Sequence, residues 1–473
     1  MSRIRRLLLV LCAGLAGMLL FPVGAAQAAT GPVTVTSGTQ VTDTSGALVQ
    51  AHGGGVIKVG TYYYWFGEDR NTDNTFKYVS AYRSTDLKNW EFRHHVLTQA
   101  TDPELATANI ERPKVVYNAT TGQFVMWMHK ESATDYSEAR AAVATSSTVD
   151  GNYAYKGSFR PLGTHMSRDI TLFTDTDGTA YMASAANENY DLQIYRLTAD
   201  YTAIASLVAN PWPGGHREAP ALFKRGSVYF MLTSGATGWS ANQQQYATAT
   251  SLAGPWSAMQ NVGDSTAFNS QTAYVLPVQG TSGTSYLYLG DRWGNSFGRT
   301  VNDSRYVWLP LTFPTSTSMA MSWYPQTTVD TAAGTVAGVS AAYETLTARH
   351  SGKCVDVPDQ SILYGVAVGQ YTCNSGANQK FWFQDTGDGY VRLMGRQSSL
   401  CLTETSTAVV QQACAGTTDQ QWKVTTNSAG YVALAARVSG ECLDVSGGST
   451  ANSAAIITYA CSGATNQQWK RAG

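Results

Sequence analysis

Five polar side chains, each standing just before a short apolar strand, could bring acid–base chemistry to one point of this chain. Three are carboxylic acids and two are amides, and successive members are 49 to 61 residues apart. Hydrolysis of a glycosidic bond needs a protonated carboxyl group for the leaving oxygen and a second group that activates water. The five lead residues are Gln50, Glu111, Asp169, Glu218 and Gln271.

Converging acids would change one another's protonation. In a cluster of like charges with reduced solvation, at least one carboxyl group has its pKa raised towards neutrality and can act as the acid. Each of the three acids has an arginine as its direct neighbour, so a structural ion pair is the simpler interpretation of any one alone. Five equivalent positions favour catalysis instead. The arginines are Arg112, Arg168 and Arg217.

The segments that follow the lead residues share one plan. Each lead residue precedes an apolar strand, a glycine-containing turn and an aromatic strand, as at 56–59 and 62–66. A period of about 50 to 60 residues built from strands and turns is typical of a β-propeller, whose innermost strands start around a shared axis. We therefore predict a five-bladed propeller over residues 30–330. The strand at 33–36 is predicted to join its last blade, whose other strands come from about 300 to 330.

A threefold repeat predicts a second domain. Residues 331–342 are predicted to be a short linker, and residues 343–473 contain three copies of about 40 residues, each with two cysteines. Copies that cannot bury a core alone imply a β-trefoil. The predicted fold class is thus all-β, a five-bladed propeller followed by a trefoil. Pairing within copies predicts the disulfides Cys354–Cys373, Cys401–Cys414 and Cys442–Cys461.

Composition excludes several classes of function. The basic start, the apolar run at 7–23 and Ala26-Gln27-Ala28 predict a signal peptide over residues 1–28, and hence secretion to the extracellular space. Only 14% of residues are charged and the net charge is −1, which argues against nucleic acid as a partner. No later segment approaches the roughly 20 apolar residues that span a membrane. We expect a monomer that acts on polysaccharide without a cofactor or metal.

The first domain resembles glycoside hydrolase family 43, and within it the exo-β-1,3-galactanase branch. The motifs that carry the resemblance are Gln50-Ala51-His52-Gly53-Gly54-Gly55, Tyr63-Tyr64-Trp65-Phe66-Gly67-Glu68, Ile110-Glu111-Arg112-Pro113-Lys114, Ser167-Arg168-Asp169, Arg217-Glu218-Ala219-Pro220, Ser270-Gln271-Thr272 and Gly290-Asp291-Arg292-Trp293. The resemblance implies inverting hydrolysis with Glu218 as general acid and Asp169 as the residue that tunes it.

This chain departs from the wider family in blade one. Gln50 and His52 stand where the family's general base, an aspartate, is expected. The galactanase branch is similar in lacking that base, and the resemblance implies that Gln271, and after it Glu111, positions or activates the water. The candidate substrate-binding residues are Gln50, Glu68, Thr237 and Trp293, whereas Trp65 and Trp127 are expected in the blade core.

The second domain resembles ricin-type carbohydrate-binding modules. In that family each copy can bind a sugar through an aspartate after the first cysteine, an aromatic residue before the second, and a polar residue before the glutamine of the Q-x-W motif. Copies one and three retain this set, and copy two has Thr403 and Gln412 instead. The motif glutamines and tryptophans are expected in the core. The predicted binding residues are Asp356, Tyr371 and Asn378, and Asp444, Tyr459 and Asn466.

The sequence therefore supports a secreted exo-β-1,3-galactanase that trims arabinogalactan-type polymers and is tethered by a galactose-binding trefoil. Two alternatives stay open at this point. Another family 43 specificity, such as an arabinofuranosidase or xylosidase, would use the same catalytic frame. A non-catalytic galactan-binding lectin would explain the missing base as lost catalysis.

Overall fold

The computed structural model describes residues 31–473, and its elements are almost all strands. Five antiparallel sheets of four strands follow one another in chain order, which confirms the five-bladed propeller. The strands of blades one to five are, in order, His52–Val59, Tyr62–Arg70, Phe76–Ser84 and Glu91–Thr98; Ala108–Asn118, Gln123–Ser132, Arg140–Ser146 and Ala154–Phe159; Ile170–Thr174, Ala180–Ala186, Asp191–Leu197 and Ile204–Ala209; Arg217–Arg225, Val228–Gly235, Gln244–Ala249 and Gln260–Val262; and Gln271–Gly280, Gly283–Arg292, Arg305–Thr312 and Ala320–Met321.

Apolar side chains fill the spaces between neighbouring blades. Because successive side chains of a strand point to opposite faces, a blade that is apolar on both faces can pack against two neighbours. Five buried clusters lie in this way, one at each junction of the ring. Trp65 and Trp308 join blades one and five with ring centroids 5.0 Å apart, and Trp127 joins blades two and three. The expectation that Trp65 and Trp127 are core residues is confirmed.

The fifth blade consists of its own four consecutive strands and does not include Val33–Thr36. The prediction that this first strand joins the last blade is therefore wrong. Val33–Thr36 pairs with Gln326–Asp330, which also pairs with Thr335–Val339 in a separate three-stranded sheet. The Asp330 carboxylate accepts the backbone N–H groups of Ala332 and Ala333, and this turn starts the returning strand. Much of the predicted linker 331–342 is therefore strand and turn.

The trefoil is confirmed, and so are its three disulfides Cys354–Cys373, Cys401–Cys414 and Cys442–Cys461. Phe381, Trp422 and Trp469 are at most 1% exposed at equivalent places in one shared core. The motif glutamines are buried too, as predicted. Its strands are Tyr343–Ala348, Cys354–Asp356, Val366–Ala367, Gly369–Tyr371, Phe381–Asp385, Val391–Gly395, Cys401–Glu404, Val409–Gln412, Trp422–Thr426, Val432–Ala436, Cys442–Val445, Ala454–Tyr459 and Trp469–Ala472.

Helical structure within residues 31–473 is limited to short 3₁₀ turns, and none of them could cross a bilayer. The predicted signal peptide, residues 1–28, lies outside the described residues. The 3₁₀ turns are Pro103–Leu105, Pro161–Gly163, Gly294–Phe297, Val301–Asp303, Pro358–Gln360, Ala377–Gln379, Thr418–Gln420, Ser446–Gly448 and Thr465–Gln467.

Candidate active site

Four of the five lead residues meet in one cavity at the end of the ring where the innermost strands begin. The cavity has a volume of about 230 Å³, and polar and aromatic side chains from all five blades line it. The structure thus brings together Glu111, Asp169, Glu218 and Gln271 from four blades. The lining residues are Glu68, Arg70, Glu111, Arg112, His129, Tyr136, Arg168, Asp169, Asn189, Glu218, Gly238, Trp239, Gln271 and Trp293.

A β-bulge at the start of the innermost strand occurs in four of the five blades. In blades two and four it follows Glu111 and Glu218, and the next residues, Arg112 and Ala219, have φ angles of +54° and +51°. In blade five the register shifts after Thr272, one residue beyond Gln271. A bulge re-aims a side chain at the edge of a sheet. The bulge thus sets the direction of Glu111, Glu218 and Gln271.

The same bulge shows that His52, and not Gln50, is the residue of blade one that is equivalent to Glu111 in blade two. The shift follows His52, which pairs with Glu68 as Glu111 pairs with His129. His52 is buried, and its Nδ1 lies 2.9 Å from Asp291 Oδ1. Gln50 stands two residues earlier, does not line the cavity and donates to the carbonyl of Asn302. Its prediction as a substrate-binding residue is corrected for this reason.

Glu218 is a buried carboxyl group that still borders the cavity. It is 7% exposed, and it accepts hydrogen bonds from Gln271 Nε2 at 2.9 Å and Asn189 Nδ2 at 3.1 Å. Burial raises the pKa of Glu218 to about 8, and the charge of Asp169 adds to the rise, while Arg112 opposes it. At neutral pH this group therefore holds a proton that it can give to a bound ligand.

Asp169 reaches Glu218 through the backbone and through a shared arginine. Its Oδ2 accepts the N–H of Ala219, the residue after Glu218, at 3.0 Å. The Arg112 guanidinium lies 3.1 Å from the same oxygen and donates to Gln271 Oε1 at 2.5 Å. Asp169 thus sets both the charge next to Glu218 and the conformation of its backbone.

Gln271 has no free hydrogen-bonding group left. Its Nε2 donates to Glu218 Oε1 and to Ser234 Oγ, both at 2.9 Å. Its Oε1 accepts from Arg112 and from the indole N–H of Trp293 at 2.7 Å. Two donors on the oxygen fix which way the amide faces. They also disfavour a tautomer that carries a proton on that oxygen, because such a proton would have no acceptor.

Glu111 sits among cations at the other side of the site. Its Oε1 accepts from Arg70 at 2.8 Å and from the Tyr136 hydroxyl at 2.7 Å, and its Oε2 lies 3.1 Å from His129. Burial alone would raise the pKa of Glu111, but Arg70 and His129 hold it below its ordinary value. Glu111 is therefore ionised, and its protonation is unfavourable.

A metal ion would compete with these ion pairs. Oxygen atoms of Glu111 and Asp169 and a nitrogen of His129 lie within 4.8 Å of one another. Burial acts to lower the pKa of His129, but Glu111 and Glu131 raise it to about 9. An imidazole that keeps both protons has no lone pair for a metal. In this structure the three side chains form ion pairs instead, Glu111 with Arg70, Asp169 with Arg112 and His129 with Glu131.

Of the other three predicted substrate-binding residues, two lie at the cavity and one does not. Glu68 and Trp293 line the cavity, and Glu68 Oε1 accepts the N–H of Arg112 at 2.8 Å. Thr237 does not line it, because its hydroxyl donates to Ser240 within an exposed loop. Its neighbour Trp239 reaches the cavity instead, with its ring centroid 5.3 Å from that of Trp293. The predicted position of Thr237 at the cavity is therefore wrong, and Trp239 is the residue of this loop that lines it.

Tyr136, Asn189 and Trp239 are site residues that sequence reasoning missed. Each lies between the second and third strands of its blade, in blades two, three and four. These connections are at the same end of the ring as the lead residues because the strands are antiparallel. The topology pointed to these loops, but no repeat in their sequences marked which side chain would turn inward.

The predicted binding residues of trefoil copies one and three lie close together. In copy one Asn378 donates to Asp356 at 3.0 Å, and in copy three Asn466 donates to Asp444 at 2.9 Å. The aromatic residues beside them are exposed, by 42% for Tyr371 and 61% for Tyr459. In copy two Thr403 replaces the aspartate and bonds to Gln420. Copies one and three thus present a carboxylate–amide pair next to an open aromatic face.

Comparison with known proteins gives matches for both domains. Residues 52–294 match the glycosyl hydrolases family 43 model, and residues 342–469 match the ricin-type β-trefoil lectin domain model. No curated protein sequence matches the chain.

Solved structures similar to the chain include two exo-β-1,3-galactanases. The one from Clostridium thermocellum is 44% identical, with 93% of this chain and 99% of that chain covered and a TM-score of 0.65. The one from Phanerochaete chrysosporium, in complex with β-1,3-galactotriose, is 30% identical, with 82% and 92% covered and a TM-score of 0.65.

Proposed function

We propose that this chain, which belongs to glycosyl hydrolases family 43, is a secreted exo-β-1,3-galactanase that acts on arabinogalactan-type polysaccharides. It is a glycoside hydrolase with an exo-β-1,3-galactanase-like catalytic domain and a ricin-type carbohydrate-binding domain. The observation that carries the proposal is Glu218, a carboxyl group kept protonated beside the Asp169 charge in a cavity lined by tryptophans. The names of the two similar galactanases support β-1,3-galactan as the substrate.

Glu218 is proposed as the general acid that protonates the glycosidic oxygen as the bond to the anomeric carbon breaks. Burial and the charge of Asp169 keep Glu218 protonated until that moment, and Arg112 holds Asp169 and Gln271 in place. Donation leaves Glu218 as an anion, which the N–H groups of Gln271 and Asn189 can then stabilise.

Gln271 is proposed to position the attacking water, with Glu111 as the second candidate. An inverting reaction places the two groups about 6.5–9.5 Å apart, whereas Gln271 Nε2 is 2.9 Å from Glu218 Oε1. The required gap therefore forms only if the substrate separates these side chains. Glu111, with its lowered pKa, is a weak proton acceptor and is better suited to binding sugar hydroxyl groups.

The trefoil is proposed to hold the enzyme on its polymer. The Asp356 and Asp444 sites are alike in geometry and lie on one domain, so two weak contacts with one polysaccharide chain act together. Export is supported by the three disulfides, which persist in oxidising compartments.

Sugar release from purified polysaccharides tests the proposal. We expect free galactose from linear β-1,3-galactan, and no comparable release from β-1,4-xylan or arabinan. Release of xylose or arabinose as the main product would favour the other family 43 specificities. Binding of galactan without any product would favour the lectin.

A further inference from the structure

A second cavity lies between the propeller and the trefoil, directly beside the catalytic cavity. Its volume is about 330 Å³, and Trp239, Gln271 and Trp293 line both cavities. Its other propeller walls come from 238–241 of blade four and from 269–270 and 296–297 of blade five. Residues 360–363 of the first trefoil copy close the opposite side.

Two buried arginines fix the trefoil wall of this cavity. Arg292 and Arg305 face each other on adjacent strands of blade five, and each is 1% exposed. Both donate to the carbonyl of Ser398, at 3.0 and 2.8 Å, and Arg305 also donates to the carbonyl of Ile362 at 3.1 Å. Ile362 is itself part of the wall. The propeller therefore sets the position of the trefoil loop directly, and the cavity is a built feature of the two domains.

The lining suits an uncharged ligand rich in hydroxyl groups. Trp239, Phe297 and Leu363 offer apolar surfaces, and Asn269 and Gln360 offer amides. No lysine or arginine is among its described lining residues. Its one carboxylate, Asp291, is 2% exposed, and its oxygens bond to the His52 ring and the N–H of Gly53. Polar and apolar residues share the lining about equally, and 330 Å³ is at the lower end of the usual range of about 300–1,000 Å³ for ligand sites.

We propose that this cavity binds a galactosyl unit beyond the one held for cleavage, and that the trefoil loop 360–363 is thereby part of the substrate-binding site. The inference rests on the proposed function. Because three side chains separate and line both cavities, a chain whose terminal unit enters the first cavity can place a later unit in the second. That unit can belong to the backbone or to a β-1,6-linked branch.

Two variants that fill the cavity from opposite walls test this. Leu363→Trp acts from the trefoil and Ser240→Trp from blade four, and Ala451→Trp is the matched control at the equivalent loop position of copy three. We expect the ratio of kcat/KM for β-1,3-galactotetraose to that for β-1,3-galactobiose to fall about tenfold in both fillers and to stay constant in the control. An unchanged ratio in both fillers, with linear tetraose and with a tetraose that carries a β-1,6-linked galactosyl branch alike, overturns the inference.

Branched substrates identify the source of the unit. A fall confined to a tetraose carrying a β-1,6-linked galactosyl branch assigns the cavity to the branch, and a fall with linear tetraose assigns it to the backbone. If the parent protein hydrolyses none of these sugars, the proposed function fails by itself. The cavity is then tested by titrating tetraose into the parent and Leu363→Trp proteins, where equal affinities would overturn the inference.

Discussion

The proposed role of Glu218 as general acid depends on its surroundings, since an exposed glutamate would be ionised at neutral pH. Burial and the charge of Asp169 raise its pKa, whereas Arg112 and the Gln271 hydrogen bond lower it. The sequence pattern predicted that Glu218 and Asp169 would meet in one cavity, and the family resemblance implied their roles as acid and tuning residue, which stay proposals. It could not predict Asn189 or Tyr136, because their approach to Glu218 and Glu111 is decided by loop conformation. The sequence pattern assigned Gln50 to the position that His52 holds in blade one, because a bulge shifts the strand register without any mark in the residue types.

The pH dependence of kcat/KM should report Glu218. The acid must be protonated to act, so we expect activity to fall as pH rises through about 8. Asp169→Asn removes a cause of the raised pKa and should move this limb to lower pH. Gln271→Ala removes a hydrogen bond to the ionised form and should move it to higher pH, with a lower plateau from lost water positioning. The measurement is a profile of kcat/KM against pH for the parent protein and for each variant.

Asp177→Asn is the control for the charge change, because Asp177 lies in an exposed hairpin turn of the same blade as Asp169. Its profile should match that of the parent protein. A limb that stays in place in Asp169→Asn would show that another group governs it.

Strands with bulged starts are the elements that convert a repeating sequence into a converging site. The sequence predicted the blades well because a short apolar strand, a turn and an aromatic strand recur, and the buried clusters between blades require that pattern. It did not predict the separate sheet of Val33–Thr36, because a single short strand carries no information about which edge it joins.

The bulge of blade one gives a prediction at this scale. Gly53 and Gly60 have φ angles of +60° and +61°, so alanine costs similar backbone strain at both. At Gly53, however, the added Cβ would lie 2.5 Å from Glu68 Oε1, while at Gly60 nothing is within 4 Å. Displacing Glu68 breaks its bonds to Arg70 and the Arg112 N–H. We expect Gly53→Ala to destabilise the protein by about 1–3 kcal/mol more than Gly60→Ala in urea unfolding. Equal losses would mean that Glu68 moves freely.

The whole molecule joins a catalytic ring to a trefoil through a firm contact. Each domain could be predicted from its own repeat, including the three disulfides. The junction could not, because Arg292 and Arg305 belong to no repeat and their partners are backbone carbonyls of Ser398 and Ile362, which any residue supplies. The cavity beside that junction is consequently a property of the assembled chain.

Adsorption to insoluble galactan tests the trefoil. We expect the Tyr371→Ala, Tyr459→Ala double variant to bind at least about tenfold more weakly than the parent, because both copies that keep the aspartate–amide pair lose their exposed aromatic face. Gln412→Ala makes the corresponding change in copy two and should bind like the parent. Equal weakening by Gln412→Ala would show that copy two binds as well.

The most direct test of the central claim follows β-1,3-galactotriose by proton NMR with the parent protein and with Glu218→Gln. The parent is expected to release galactose that appears first as the α-anomer, and Glu218→Gln to be slower by about 10²–10⁴-fold while it still binds the trisaccharide. Galactose release by Glu218→Gln at the parent's rate would contradict the account, because the proton must then come from another group.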